Sequence, residues 1–106
     1  MAKYLYMASY TAEGAKGVLK EGGTKRRQAI EELARSMGGK LEAFYFGFGE
    51  TDAYVIVDLP DHASSAAASL AVAASGAGRV KTVVLMTPEE MDQAAKKPVP
   101  YRPPGH

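Results

Sequence analysis

The chain has 106 residues, 46% of them hydrophobic and 24% charged, which suits one small folded domain and leaves no room for two. Thirteen Lys and Arg against twelve Asp and Glu leave a formal charge of +1. No global field therefore attracts nucleic acid or an anionic membrane. The absence of cysteine excludes disulfides, iron–sulfur clusters, thiolate zinc and cysteine nucleophiles. The uncharged run from Ala63 to Gly78 is too short and too rich in Ser and Gly to span a bilayer. Met1-Ala2-Lys3-Tyr4 lacks the apolar stretch of a signal peptide, so a cytoplasmic location is expected.

Tyr4 to Tyr10 is rich in aromatic residues and reads as strand one, ending at Thr11, a good helix N-cap. Ala15, Val18 and Leu19 follow at i, i+3, i+4 until Gly22-Gly23 breaks the pattern. Thr24 is placed to cap a second helical piece carrying Ile30, Leu33, Ala34 and Met37, which Gly38-Gly39 closes. Leu41 to Phe48 and Asp52 to Leu59 form strands two and three across a short hairpin. Asp61 caps an alanine-rich helix built from Ala63, Ala66, Ala67, Leu70 and Ala74. Val80 to Met86 is strand four, and Thr87-Pro88-Glu89-Glu90 is a capping box opening a short terminal helix. The single methionines Met7, Met37, Met86 and Met91 read as core filler.

The expected fold is α+β: a ferredoxin-like βαββαβ unit with a four-stranded antiparallel sheet and both helices on one face. Right-handed crossovers are expected to set strands one and three side by side and parallel in its centre. Residues 1–96 make the domain, and the proline-rich stretch 97–106 forms an extended tail.

Alternation along the strands says what each face of the sheet carries. Ala53, Val55, Val57 and Leu59 are uniformly aliphatic, and this set, with Leu5, Met7 and Ser9 of strand one, suits the helix-covered core. A turn with Gly49-Glu50 at its centre sets Phe48 opposite Thr51, pairs Phe46 with Ala53 and Phe44 with Val55, and sends all three phenylalanines toward the helices. A loop one residue longer reverses that assignment. In the first register, five of the six tyrosines line the uncovered face: Tyr4, Tyr6, Tyr10, Tyr45 and Tyr54. Such a surface exceeds the apolar patch a monomer usually exposes, so a homodimer or higher homo-oligomer is expected.

Several segments are also similar to a known family. Ala-Ser-Tyr-Thr-Ala-Glu-Gly at 8–14, Gly-Gly-Thr-Lys-Arg-Arg at 22–27 and Gly-Gly-Lys-Leu-Glu-Ala-Phe-Tyr-Phe at 38–46 carry the likeness. With Phe-Gly-Glu-Thr-Asp at 48–52 and Val-Asp-Leu-Pro-Asp at 57–61, the chain resembles the GYD-domain family of small bacterial proteins. The resemblance runs from about residue 3 to residue 95. It implies a dimeric α+β barrel, in which two ferredoxin-like sheets pack face to face. The name-giving Gly-x-Tyr-Asp signature falls on Gly49 to Asp52, with Thr51 in the tyrosine's place. The family implies no reaction, and fold alone chooses none.

Candidate chemistry is sparse. Gly22-Gly23 followed by Thr24, Lys25, Arg26 and Arg27 offers free backbone N–H groups and three cations, a candidate anion site that lacks the Walker spacing. The competing reading is a helix end and a new cap. Asp52 and Asp58 lie roughly 20 Å apart along one strand, too far for a catalytic pair, and suit the hairpin end and the turn into the next helix. Glu42 reads as a solvated edge-strand residue. His62 and His106 have no metal-ligand spacing, so neither a metal nor a cofactor is expected.

Two functions remain open. One is a small-molecule-binding protein or a metal-free enzyme, with a pocket between the tyrosine face and the helix layer. Its candidate ligand-binding residues are Tyr6, Tyr10, Tyr45, Tyr54 and Asp52. The other is a non-catalytic assembly or accessory module in which the tyrosines only join subunits.

Overall fold

A computed structural model describes all 106 residues. The chain begins with β1 (Ala2–Tyr10), and the Thr11 hydroxyl then accepts the Gly14 N–H to start α1 (Ala12–Glu21). Gly22, at φ 83°, breaks the helix and serves as N-cap to α2 (Gly23–Ser36). That backbone angle is open to glycine at little cost, which is why the layer is made of two pieces. Thr24, expected to be the cap, is instead the second residue of α2. Gly38, at φ 81°, ends α2, and Gly39 N–H returns to the Ala34 carbonyl.

Strands β2 (Lys40–Phe46) and β3 (Ala53–Leu59) follow, then α3 (His62–Ser75), β4 (Gly78–Leu85) and α4 (Pro88–Lys96). The Asp61 carboxylate accepts the Ser64 N–H to cap α3. Thr87 and Glu90 close both bonds of a capping box on α4, at 2.9 and 3.1 Å. No helix is long and apolar enough to cross a membrane.

The sheet order is β2-β3-β1-β4, and every neighbouring pair is antiparallel. The ferredoxin-like α+β arrangement is therefore present, with one correction. Strands β1 and β3 are central neighbours as expected, but they run antiparallel. The crossover through α1 and α2 brings β2 back parallel to β1, and the hairpin then reverses β3 against both.

The hairpin register is as expected: Phe46 opposes Ala53, Phe44 opposes Val55, and Tyr45 opposes Tyr54. The ladder ends there, so Phe48 and Thr51 do not pair as the two-residue turn requires, and Gly47 N–H to Asp52 O closes a wider loop. Phe44 and Phe46 thus stand on the helix side, whereas Phe48 lies in the loop and is fully exposed. A bulge at Glu42 keeps Leu41 opposite Val57 while Ala43 opposes Ile56.

The largest departure concerns the tyrosines of β1. Tyr4 opposes Val57, Tyr6 opposes Val55 and Ala8 opposes Ala53, which puts Tyr4, Tyr6, Ala8 and Tyr10 on the helix-covered side. Tyr4 is only 1% exposed and joins Ala34, Val55, Val57 and Leu59 in the core, with Met37 packed against them. Leu5 and Met7 take the bare face instead, beside Tyr54 and Ile56.

The reason lies in α3. Its inward side is Ser65 and Ala68, both buried, rather than the expected set containing Leu70, which is 70% exposed. Small residues there leave room for large rings from the sheet, and Ser65 and His62 give those rings polar partners. Of the remaining methionines, Met86 and Met91 are exposed rather than core filler.

Candidate functional site

Above β1 and β3, helices α2 and α3 do not close on each other. Between them lies a cavity of about 100 Å³, walled mainly by aliphatic side chains such as Ile30, Leu33, Val55 and Val72. Its depth is set by Val57, Leu59 and Ala34, all buried. Its other end lies where β1 and α3 finish and α2 and β4 begin, bringing Tyr10, Arg26, Ser75 and Gly78 to one rim. Ser75 is exposed and Arg26 half-buried, so this end faces solvent.

Polar groups on the wall are few. The Tyr6 hydroxyl lies 2.7 Å from Ser65 Oγ, and burial pushes the phenol above its ordinary pKa of 10.0. The ring of Tyr6 stacks on Tyr4 at 6.5 Å between centroids. Ser69 Oγ is 3.3 Å from Thr82 Oγ1 of β4. Arg26 is the one charged residue on the wall, and it takes part in none of the three ion pairs of the chain.

The candidate ligand residues divide between the two sides of the sheet. Tyr6 and Tyr10 line the cavity. Tyr45 and Tyr54 face each other across β2 and β3 on the bare side, 71% and 39% exposed. Asp52 belongs to neither group. Its Oδ2 accepts the Tyr10 N–H at 2.8 Å, while its own N–H donates to the Ala8 carbonyl, so it ties the hairpin loop to the end of β1. The five residues therefore do not form one site.

The candidate anion residues divide too. Arg26 reaches the cavity, whereas Thr24 and Arg27 border a separate shallow hollow with Phe44 and Phe46, between the start of α2 and β2. Lys25 is exposed, and Arg27 pairs with Glu31 at 3.6 Å. Helix α2 starts with no side-chain cap and no acid in its first turn.

Asp58 does not serve the turn into α3. Lys3 stands opposite it across β1 and β3, with its Nζ 3.0 Å from Asp58 Oδ1 and 3.0 Å from Glu42 Oε1. Hydrogen bonds from Lys3 to Asp58 first, and Glu42 second, raise the pKa of its ammonium. Glu42 is thus a paired residue rather than a free solvated one, because the bulge turns it toward Lys3.

What the sequence alone missed was Ser65 and His62 as partners of buried phenols. Tyr4 Oη and His62 Nδ1 are 2.6 Å apart. The available signal was the run of small side chains on α3, which needs bulky residues opposite. No group of three or more His, Asp or Glu is placed to hold a metal ion.

A family model for the GYD domain matches residues 4–95. Neither the curated proteins nor the solved structures contain a match to the chain.

Proposed function

The chain belongs to the GYD-domain family, and from that premise we propose that it is a cytoplasmic protein that binds a small molecule in the cavity beneath α2 and α3. The carrying observation is an apolar space with an open, polar rim where two helices normally meet over a sheet. Binding pockets have this character: mostly hydrophobic walls with a few placed polar groups. An apolar cavity of about 150 Å³ accommodates benzene, so this smaller one takes a short hydrocarbon end or the inner part of one ring, with the rest of the ligand and its polar group at the open mouth.

The proposed protein is a homodimer joined through the bare face of the sheet. Leu5, Met7, Tyr45, Tyr54, Ile56 and Val83 make an apolar patch on that face, edged by the charged residues Lys3, Asp58, Lys81 and Arg79, and monomers seldom leave such a patch in water. Nothing in the cavity assigns a reaction. The polar groups at hand are phenols, serines and one guanidinium, and Asp52 is committed to a backbone N–H.

A second reading, a non-catalytic assembly module, is favoured by the C-terminal arm. Every residue from Pro88 to His106 is exposed, Met91, Val99 and Tyr101 included. Native mass spectrometry of the purified protein separates the two readings. The binding reading expects a dimer of 11.3 kDa chains that carries a small compound or takes one up, and it loses if dimers form but no compound ever binds.

A further inference from the structure

We infer that the cavity selects an organic monocarboxylate, with a hydrocarbon or aryl body in the apolar depth and the carboxylate on Arg26 at the rim. The inference rests on the binding reading above and goes further by fixing the ligand's charge and its orientation.

Three observations carry it. Arg26 is the single charge among the residues that wall the cavity, and no Asp or Glu lies there to neutralise it. Every ion pair of the chain involves other cations, Lys3 twice and Arg27 once, so the Arg26 guanidinium is uncommitted. It is only half-exposed, against an apolar wall, where an unpaired charge gains most from an incoming counter-charge. Sequence placement explains how this comes about. Arg26 lies one turn before Ile30 on α2, so the face that delivers Ile30 and Leu33 to the cavity also delivers the guanidinium to its mouth.

The chemistry then follows from geometry. A guanidinium presents a planar fork of N–H donors that matches a carboxylate in two parallel hydrogen bonds. Arg26 is the fourth residue of α2, whose first turn has no acidic residue and no capping side chain to offset the guanidinium. The deep end offers Val57 and Leu59, aliphatic and buried, which give a second charge or a polar tail no partner. One acid group and one apolar end are the only pattern both ends accept.

The test uses a matched pair of probes, 3-phenylpropanoate and 3-phenylpropan-1-ol, titrated into the full chain by calorimetry and followed by NMR. The acid is expected to bind about tenfold or more tighter than the alcohol, the scale of a charge-assisted pair. Added salt should weaken the acid selectively, and Arg26→Gln should bring the acid's affinity down to that of the alcohol. Circular dichroism of Arg26→Gln checks that its fold is intact, and an equivalent titration of Lys25→Gln controls for loss of any nearby cation. Equal affinities for acid and alcohol, or a preference that survives Arg26→Gln, overturn this inference while leaving the cavity a binding site. Failure of both probes to bind overturns the binding reading and this inference with it.

Discussion

The hydroxyl of Tyr4 and Nδ1 of His62 lie 2.6 Å apart, joining the middle of the sheet to the first residue of α3. Tyr4 is 1% exposed, and its ring meets the imidazole edge-on at 5.7 Å. A buried phenol keeps its hydroxyl only where a partner is supplied, and here the partner fixes where α3 begins. Tyr4→Phe removes the bond and keeps the ring, so it should cost about 1 kcal/mol in urea unfolding. Tyr4→Ala empties the core and should cost about 3 to 5 kcal/mol.

Alkaline pH tests the burial of Tyr6. Its pKa is raised above 10.0, chiefly by desolvation, so the folded chain holds the phenol proton more tightly than the unfolded one. That contribution is full below pH 10.0 and is lost as pH rises through the folded value. Lys3, also raised, adds a loss in the same direction. Urea midpoints measured from pH 9 upward, roughly, should fall less steeply for Tyr6→Phe than for the parent chain. Identical slopes would contradict the placement of Tyr6 under the helices.

Acid acts through Asp61. The Ser64 N–H bonded to its carboxylate holds its pKa below the usual 3.8. Stability from this cap is therefore present above 3.8 and lost as pH falls through the lowered folded value. Asp61→Asn keeps an acceptor for the cap and should remove this part of the acid dependence, whereas Asp61→Ala should be less stable at neutral pH as well. Midpoints of thermal unfolding at several pH values provide the comparison.

Two glycines of α1 should respond with opposite signs. A Cβ on Gly14 meets the Ala77 carbonyl, at the point where Thr11 N–H donates to that same oxygen at 3.1 Å. Gly17 has open space around it. Gly14→Ala should destabilise by about 3 kcal/mol because backbone must move. Gly17→Ala should stabilise by about 0.5 to 1 kcal/mol, the cost of glycine inside a helix. Denaturant titration of both variants reads the two signs directly.

Much of the architecture is legible in the sequence, because it is written locally. Thr11, Asp61 and Thr87 act as caps, Gly22 breaks the first helical layer, and the alternation of Ala53, Val55, Val57 and Leu59 marks the core side of β3. The face taken by β1 is not. Leu5 and Met7 look more like core than Tyr4 and Tyr6, and period-two alternation alone treats either set as the inner one. The deciding factor was shape: an alanine- and serine-rich helix needs large rings opposite, and the cross-strand pairing of Tyr4 with Val57 supplies them. For the same reason the candidate site was half legible. Tyr6, Tyr10 and Arg26 converge, while Tyr45 and Tyr54 stand across the sheet and Asp52 braces a loop.

Subunit association is tested on the bare face. Val83 and Tyr45 are exposed there and their side chains make no hydrogen bond, so Val83→Lys and Tyr45→Glu should leave the fold intact. Light scattering at micromolar protein should show the parent chain at twice 11.3 kDa and the double variant at the single mass. A parent chain that stays at the single mass refutes the dimer.

Methyl-resolved NMR with 3-phenylpropan-1-ol locates the ligand most directly. Contacts from the phenyl ring to the methyl groups of Val55 and Val72 are the predicted result, since both line the space beneath α2 and α3. Contacts confined to Leu5 and Val83, on the opposite side of the sheet, would contradict it.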